Sequence, residues 1–400
     1  MKFFCQCYIF DPCRYLIVFC GVQHMRNTGC WNYSQKYFSC LVVFISLFLQ
    51  IESAIACEAP PEVCDWKKKI VGLKTGNMIA SGILIDGGII ITNRHVVEDY
   101  QSILVRDFSG NVYSASVIPH NIQIDLAILV RGSNKIVPNI KRDLAKARSQ
   151  NLYVVAFDQG RNAARVYEPS SFAYYPNLKK YPLARIHSNA RALPGNSGGA
   201  VVDQHGFLVG ILASGDRRFS EIIPSTKLEE VFASMNKKHS NKFFETGGLI
   251  RRCADALYAA AEIIKNPPNP IVNKIERNCY DSDNRQLIDQ AGQTFGRWWM
   301  FGLSEKYLKK SESMDPFSPN TLMSLAVTYH LSRNSEQSVK ILKRYLELDP
   351  KNHQALRMGI QGAGAVDDKV FAYRVLELMK KHNPSAVPLA ESFLENAFAD

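Results

Sequence analysis

The sequence predicts a multidomain chain, an all-β half followed by an all-α half, behind a removable leader. Three observations carry this. Four hundred residues exceed what one hydrophobic core organises, since domains stop growing near about 250–300 residues. From Trp66 to Ile223 the chain is short apolar runs broken by Gly, Asn and Asp, the pattern of a β-sandwich or barrel. Past Ser225 the apolar period turns helical, and prolines beyond residue 315 recur every 34 residues, a repeat-protein spacing. The predicted segments are 1–56 (leader), 57–235 (β domain), 236–284 (helical linker) and 285–400 (helical repeats). With 46% apolar and 21% charged residues the chain is neither disordered nor fibrous, and the lack of a long apolar run excludes a polytopic membrane protein.

The leader is legible in its parts. Cys40 to Leu49 is an apolar run of signal-peptide length, Arg26 and Lys36 lie ahead of it, and Ala54-Ile55-Ala56 is a cleavage signature. Export with cleavage before Cys57 is expected, with Met1 or Met25 as the start; a short membrane anchor is the alternative. Cys5, Cys7, Cys13, Cys20, Cys30 and Cys40 lie in this leader. That leaves Cys57, Cys64, Cys253 and Cys279, which an oxidising compartment could pair as Cys57–Cys64 and Cys253–Cys279, or which stay as buried thiols. No spacing fits a zinc site, and no metal or cofactor is predicted. The net charge of +11 falls to +9 without the four basic and two acidic residues of the leader, and it is spread rather than clustered. Lys67-Lys68-Lys69 and Lys237-Lys238 read as solvated faces, so no nucleic-acid partner is expected.

In the β half, Ser81–Ile85, Ile89–Thr92, Ser102–Arg106, Leu126–Val130, Leu152–Phe157, Ala200–Val202 and Phe207–Ala213 read as strands. Asp86-Gly87-Gly88 and Asp203-Gln204-His205-Gly206 are turns between neighbours. Three positions carry chemistry. His95 follows the buried run Ile89–Thr92, Asp125 stands at the mouth of the run Leu126–Leu129, and Ser197 sits in the glycine-flanked loop Pro194-Gly195-Asn196-Ser197-Gly198-Gly199. In the order His, Asp, Ser they fit an acyl-transfer triad. A serine hydroxyl needs a base to take its proton, and imidazole has a suitable pKa. That base needs a buried acceptor on its other nitrogen to fix its tautomer. The glycines permit the sharp turn by which the Gly195 and Ser197 amides converge on one oxyanion.

At these residues the chain resembles the trypsin-like serine peptidases, most closely the bacterial Deg or high-temperature-requirement branch. Thr92-Asn93-Arg94-His95-Val96-Val97, Asp125-Leu126-Ala127-Ile128-Leu129, Gly195-Asn196-Ser197-Gly198-Gly199 and Gly206-Phe207-Leu208-Val209-Gly210-Ile211 carry the likeness, over roughly 66–232. It implies two perpendicular six-stranded β-barrels with the triad between them. It also implies a specificity pocket lined by the strand to Gly215, with Ala213, Ser214 and Gly215 as substrate-binding residues. Lys69-Ile70-Val71-Gly72 imitates the activation site of animal trypsins, but Asn196 stands where those carry the pairing aspartate, so Ile70-Val71 reads as a first strand. Arg191, six residues before Ser197, falls where the resemblance puts the pocket base; there it would favour an acidic or small residue, unless it points to solvent. His120, in a Pro-His-Asn turn, and His187 are the rival bases, in poorer contexts.

Pro316, Pro350 and Pro384 set the register of the second half, which resembles tetratricopeptide repeats over roughly 285–400. Leu325, Ala326, Tyr329, Ser338, Leu342 and Tyr345 fall at packing positions of one repeat. Gly359, Ala372, Leu376 and Met379 do so in the next, and Ala291, Gly292, Phe295, Ser304 and Leu308 in the one before. Stacked repeats imply a concave surface suited to a peptide or partner helix, or else a helical bundle that braces the β domain. Gly247-Gly248 and the turn Asn266-Pro267-Pro268-Asn269-Pro270 mark the linker, with a helix from about Leu249 to Lys265. The peptide-binding PDZ module usual in Deg-type proteases is not evident. The expected function is an exported serine endopeptidase, periplasmic or secreted, acting on protein or peptide substrates. A catalytically silent scaffold and a chaperone-like binder are the alternatives.

Overall fold

Runs of β-branched residues in the first half pair as antiparallel strands. The structure, a computed structural model, describes residues 57–76, 78–132, 151–215 and 218–399. The leader, with its export signal and six cysteines, lies outside the described residues. After α1 (Pro61–Cys64) come β1 (Ile70–Thr75), β2 (Met78–Ile85), β3 (Ile89–Thr92), the one-turn helix α2 (Arg94–Val97), β4 (Ser102–Arg106), β5 (Val112–Ile118) and β6 (Ala127–Val130). The strands close a barrel in the order β1-β2-β3-β6-β5-β4. In β3 the period-2 alternation serves two cores at once: Ile90 packs with Leu129 and Val105, while Ile89 and Ile91 join Val155 and Ile211 of the next sheet. A strand buried on both faces reads as an unbroken apolar run, as Ile89–Ile91 does.

The second sheet comprises β7 (Leu152–Asp158), β8 (Ala163–Val166), β9 (Phe172–Tyr174), β10 (Ile186–Ser188), β11 (Ala200–Asp203), β12 (Leu208–Gly215) and β13 (Ser220–Pro224). Here the structure departs from the expected second six-stranded barrel. It is a seven-stranded sheet in the order β8-β7-β11-β12-β13-β10-β9, whose short end strands do not pair with each other.

Helices follow: α3 (Lys227–Ser234), α4 (Ser240–Ala260), α5 (Asn269–Cys279), α6 (Arg285–Arg297), α7 (Phe301–Met314), α8 (Pro319–Leu331), α9 (Ser335–Leu348), α10 (His353–Ala365), α11 (Lys369–His382) and α12 (Val387–Ala397). The start of α6, α8, α9, α10 and α11 is written in a capping side chain, since Asn284, Ser318, Asn334, Asn352 and Asp368 each accept a backbone amide of the first turn. Every packing position named from the 34-residue register is buried, from Ala291 to Met379. The disulfides Cys57–Cys64 and Cys253–Cys279 are both formed, the second joining α4 to α5.

The linker expectation is corrected here. Gly247-Gly248 does not break the chain but lies inside α4, which begins at Ser240 and ends at Ala260. A β-carbon at Gly247 would stand 2.0 Å from the Glu98 carbonyl oxygen. Glycine is therefore what lets α4 press against the turn that carries His95. Two side chains hold the contact: the Arg94 guanidinium lies 3.5 Å from the centre of the Phe243 ring, and Arg251 forks onto Asp99 at 2.8 and 2.7 Å. The described residues from Cys57 onward form one compact unit.

Candidate active site

His95 and Asp125 meet because β3 and β6 are paired neighbours, Thr92 opposite Ala127. The Asn93 side chain donates to the Asp125 carbonyl at 3.0 Å and pins the two loops together. Asp125 then holds His95 twice: Oδ1 accepts the His95 backbone amide at 3.0 Å, and Oδ2 lies 2.8 Å from Nδ1. The carboxylate is also reached by Asn284 Nδ2 at 3.0 Å and by Arg185 at 3.4 Å. Its side chain is 3% exposed, against 15% for His95. Burial alone would raise the Asp125 pKa, but His95 and Arg185 outweigh it and hold the carboxyl below the usual range. Asp125 is thus an anion at neutral pH, placed to stabilise an imidazolium.

The Ser197 loop is built around two glycines. Gly195 and Gly198 have φ of +94° and +85°, and a β-carbon at Gly198 would stand 2.1 Å from the Ser81 carbonyl. Two strands clamp the loop through three hydrogen bonds: the Ser81 amide of β2 donates to the Ser197 carbonyl at 2.8 Å, Gly198 N–H to the Leu212 carbonyl of β12 at 2.8 Å, and Ser81 Oγ to the Gly195 carbonyl at 2.7 Å. The Ser197 hydroxyl donates to the Ala213 carbonyl at 3.0 Å. Among the described residues it makes no hydrogen bond to His95, and neither the Gly195 nor the Ser197 amide has an acceptor. His95 and Asp125 are thus paired, while the Ser197 hydroxyl rests on β12.

The remaining sequence candidates fall as follows. Asn196 is buried; its Oδ1 accepts from Leu193 N–H at 2.9 Å and its Nδ2 donates to the Tyr167 hydroxyl at 2.9 Å, so it shapes the loop. Arg191 is exposed, Ala213 is buried, and at the end of β12 Ser214 is partly buried and Gly215 exposed. Ser214 donates to the buried Glu221 at 3.0 Å. Neither rival histidine reaches the site's chemistry. His187 is fully buried with Nε2 2.9 Å from Asp315 Oδ2. His120 Nε2–H donates to the Leu126 carbonyl at 2.9 Å, and its Nδ1 accepts from Ile122 at 3.2 Å.

That pairing fixes His120 as a neutral ring, because protonation would put a hydrogen on the nitrogen that accepts. Burial pushes its pKa down to about 4; the Leu126 carbonyl opposes this, and Arg94 and His239 add to it. A depressed histidine stabilises the fold above its unfolded value of about 6.5, and that stability is lost as pH falls toward 4, about 3 kcal/mol in all. Glu98 works oppositely: burial raises it to about 7, with Asp255 adding to the effect, so its share grows as pH falls from 7 toward 4.5. Whole-protein melting therefore shows a muted acid slope. Proton NMR of the His120 ring separates the two, with a midpoint near 4 expected; a midpoint near 6.5 would contradict the buried geometry.

Residues that the sequence did not single out complete the surroundings. Arg185 bridges Asp125 and Glu221, the latter at 2.8 Å, and Arg285 of α6 closes on the same Glu221 carboxylate. Asn284 signals only a helix cap in sequence; nothing local marks its reach to Asp125, 159 residues away.

Residues 80–211 match the trypsin-like peptidase domain family, a span that contains His95, Asp125 and Ser197. The chain is 28% identical over 137 residues to the serine endoprotease DegS of Escherichia coli, covering 33% of this chain and 39% of that protein. It is 30% identical over 139 residues to the periplasmic serine endoprotease DegP of Salmonella typhimurium, covering 33% and 29%. Among solved structures, a serine endoprotease from Yersinia pestis aligns at 20% identity with a TM-score of 0.37, covering 46% of this chain and 66% of that one. The chain spans less than half the length of the curated relatives it matches.

Proposed function

We propose that this chain, which carries a trypsin-like peptidase domain related to the Deg-type serine proteases, is an exported serine endopeptidase with a His95-Asp125-Ser197 triad. The observation that carries the reading is the double grip of Asp125 on the His95 amide and ring. It fixes Nδ1 as the protonated nitrogen and leaves Nε2 as the base. Rotation of Ser197 about its Cα–Cβ bond exchanges the Ala213 carbonyl for Nε2 as partner. Ser197 Oγ then attacks the peptide carbonyl carbon while its proton passes to Nε2, and the resulting oxyanion takes the Gly195 and Ser197 amides. Collapse expels the amine, which receives the proton from Nε2. Water repeats the sequence on the acyl-enzyme, releasing the acid and free Ser197. The edge of β12 from Ala213 to Gly215 is the substrate-pairing strand in this reading, and Arg191 is exposed to solvent.

The helix pairs α8–α9 and α10–α11 read as tetratricopeptide repeats, and export fits the two disulfides, which persist in oxidising compartments. The Ser197–Ala213 hydrogen bond favours one second reading, a protease-like scaffold that binds proteins without cutting them. Incubating the full chain with an unfolded protein, and reading new amino termini by mass spectrometry, separates the two. Cleavage lost in Ser197→Ala is expected. An intact protein with suppressed aggregation would favour the scaffold.

A further inference from the structure

We propose that Asn284, the cap of α6 in the helical half, is a positioning residue of the catalytic centre, so that the helices complete the active site. The inference rests on the triad reading above.

Asp125 has two carboxylate oxygens and one task, to hold His95. Oδ2 does so through Nδ1 at 2.8 Å, with Arg185 at 3.4 Å. Oδ1 accepts the His95 amide and Asn284 Nδ2, both at 3.0 Å. Asn284 is therefore a donor on the oxygen that also takes the His95 amide and lies 3.1 Å from Nδ1, and it helps fix the carboxylate plane to which that ring must align. Its own side chain has little freedom: Oδ1 accepts the Leu287 amide at 3.1 Å as the cap of α6, which turns Nδ2 toward Asp125. The residue is 2% exposed, so the bond to Asp125 is shielded from water.

The seat of Asn284 is fixed by what surrounds it. Arg285, the next residue, closes on Glu221 and donates to Ser311, Ser318 and Thr321 at 3.2–3.3 Å. Glu221 in turn holds Arg185, the other cation at Asp125. Asp315, at the end of α7, accepts from Arg185 N–H at 3.2 Å and pairs with His187. A helical region that only captured partners would not need buried polar bonds into the carboxylate behind the histidine.

Asn284 both caps a helix and donates to Asp125, and two substitutions separate these roles in the full chain. Asn284→Asp and Asn284→Ser each keep a good cap. Asn284→Asp faces Asp125 with a second carboxylate, and Asn284→Ser is too short to bridge. For both we expect kcat to fall roughly ten- to hundredfold at nearly unchanged KM, with the melting temperature near wild type in Asn284→Ser and lower in Asn284→Asp, which buries a second carboxylate beside Asp125. In Asn284→Asp the acid limb of the rate profile moves to higher pH, because added negative charge favours the imidazolium. The charged groups already facing this pair are Arg94, Glu98 and Arg185. Unchanged kcat and pH profile in both variants, with wild type cutting peptides, would reduce Asn284 to a cap and overturn the inference. If either variant melts early, the hydrogen-bonded Nδ1 proton of His95, read by NMR in the folded fraction, decides: a shifted resonance supports positioning and an unmoved one contradicts it. A wild type that cuts nothing overturns the triad reading and this inference with it.

Discussion

Replacing His95 by alanine should lower kcat/KM by on the order of 10⁴–10⁶, with the melting temperature nearly unchanged. The size follows from the division of labour in the site. Without imidazole no group takes the Ser197 proton, and Asp125, below its usual pKa and 3% exposed, cannot substitute for it. Only the Gly195 and Ser197 amides and the binding groove remain to stabilise the oxyanion. Asp125→Asn should come close to the same loss, since an amide there can favour the wrong tautomer of His95. Activity in the wild type should climb with pH as the imidazole loses its proton while Asp125 remains ionised. Steady-state kinetics on a peptide substrate from pH 5 to 8 checks both points, and a flat profile would count against His95 as base.

The second large effect belongs to stability. Arg285→Ala should cost about 3–5 kcal/mol, the usual result of removing one partner from a buried ion pair. Glu221 is 3% exposed; burial would raise its pKa, but Arg285 and Arg185 reverse that and hold it well below the usual range. The sign follows: a depressed carboxylate adds stability above its unfolded value of about 4.5, and that stability is lost as pH falls below it. Without Arg285 the charge keeps Arg185 and the Ser214 and Ser318 hydroxyls, too little for a buried carboxylate. Pairing Arg285→Met with Glu221→Leu should recover most of the loss, because neither charge is then left alone. Urea denaturation of the wild type, Arg285→Ala and the double variant measures this. A single-variant cost below about 1 kcal/mol would mean that water reaches the pair.

The legible parts of this fold are those where one local pattern had one cause. Ile89–Thr92 and Ser102–Arg106 are strands with the predicted bounds, because β-branched runs have few other uses. The 34-residue register located buried Tyr329, Ser338 and Leu342 for the same reason: packing positions in a helix pair recur. β5 escaped notice although Tyr113, Ala115 and Val117 alternate with more exposed residues; its serines masked the pattern. β13 carries Glu221 and ends in Pro224, features that argue against a strand unless Arg185 and Arg285 are known to be near. Gly247 shows the converse error. A glycine pair reads as a flexible joint, but here its cause is Glu98, which sequence places far away.

The candidate site divides in the same way. His95, Asp125 and the Ser197 loop stand out in sequence because the chemistry proposed for them demands particular residue types in particular settings. Their supports do not, since Asn284 and Arg185 look like an ordinary cap and an ordinary surface arginine. Only the folded arrangement, Arg185 beside β10 and Asn284 at the cap of α6, turns them into neighbours of Asp125.

Treating the purified full chain with a fluorophosphonate, and mapping the adduct by mass spectrometry, tests the shared crevice most directly. The account predicts one covalent adduct, on Ser197, which forms faster as pH rises and vanishes in His95→Ala. A folded protein that stays unlabelled, or one modified at another serine, would contradict it.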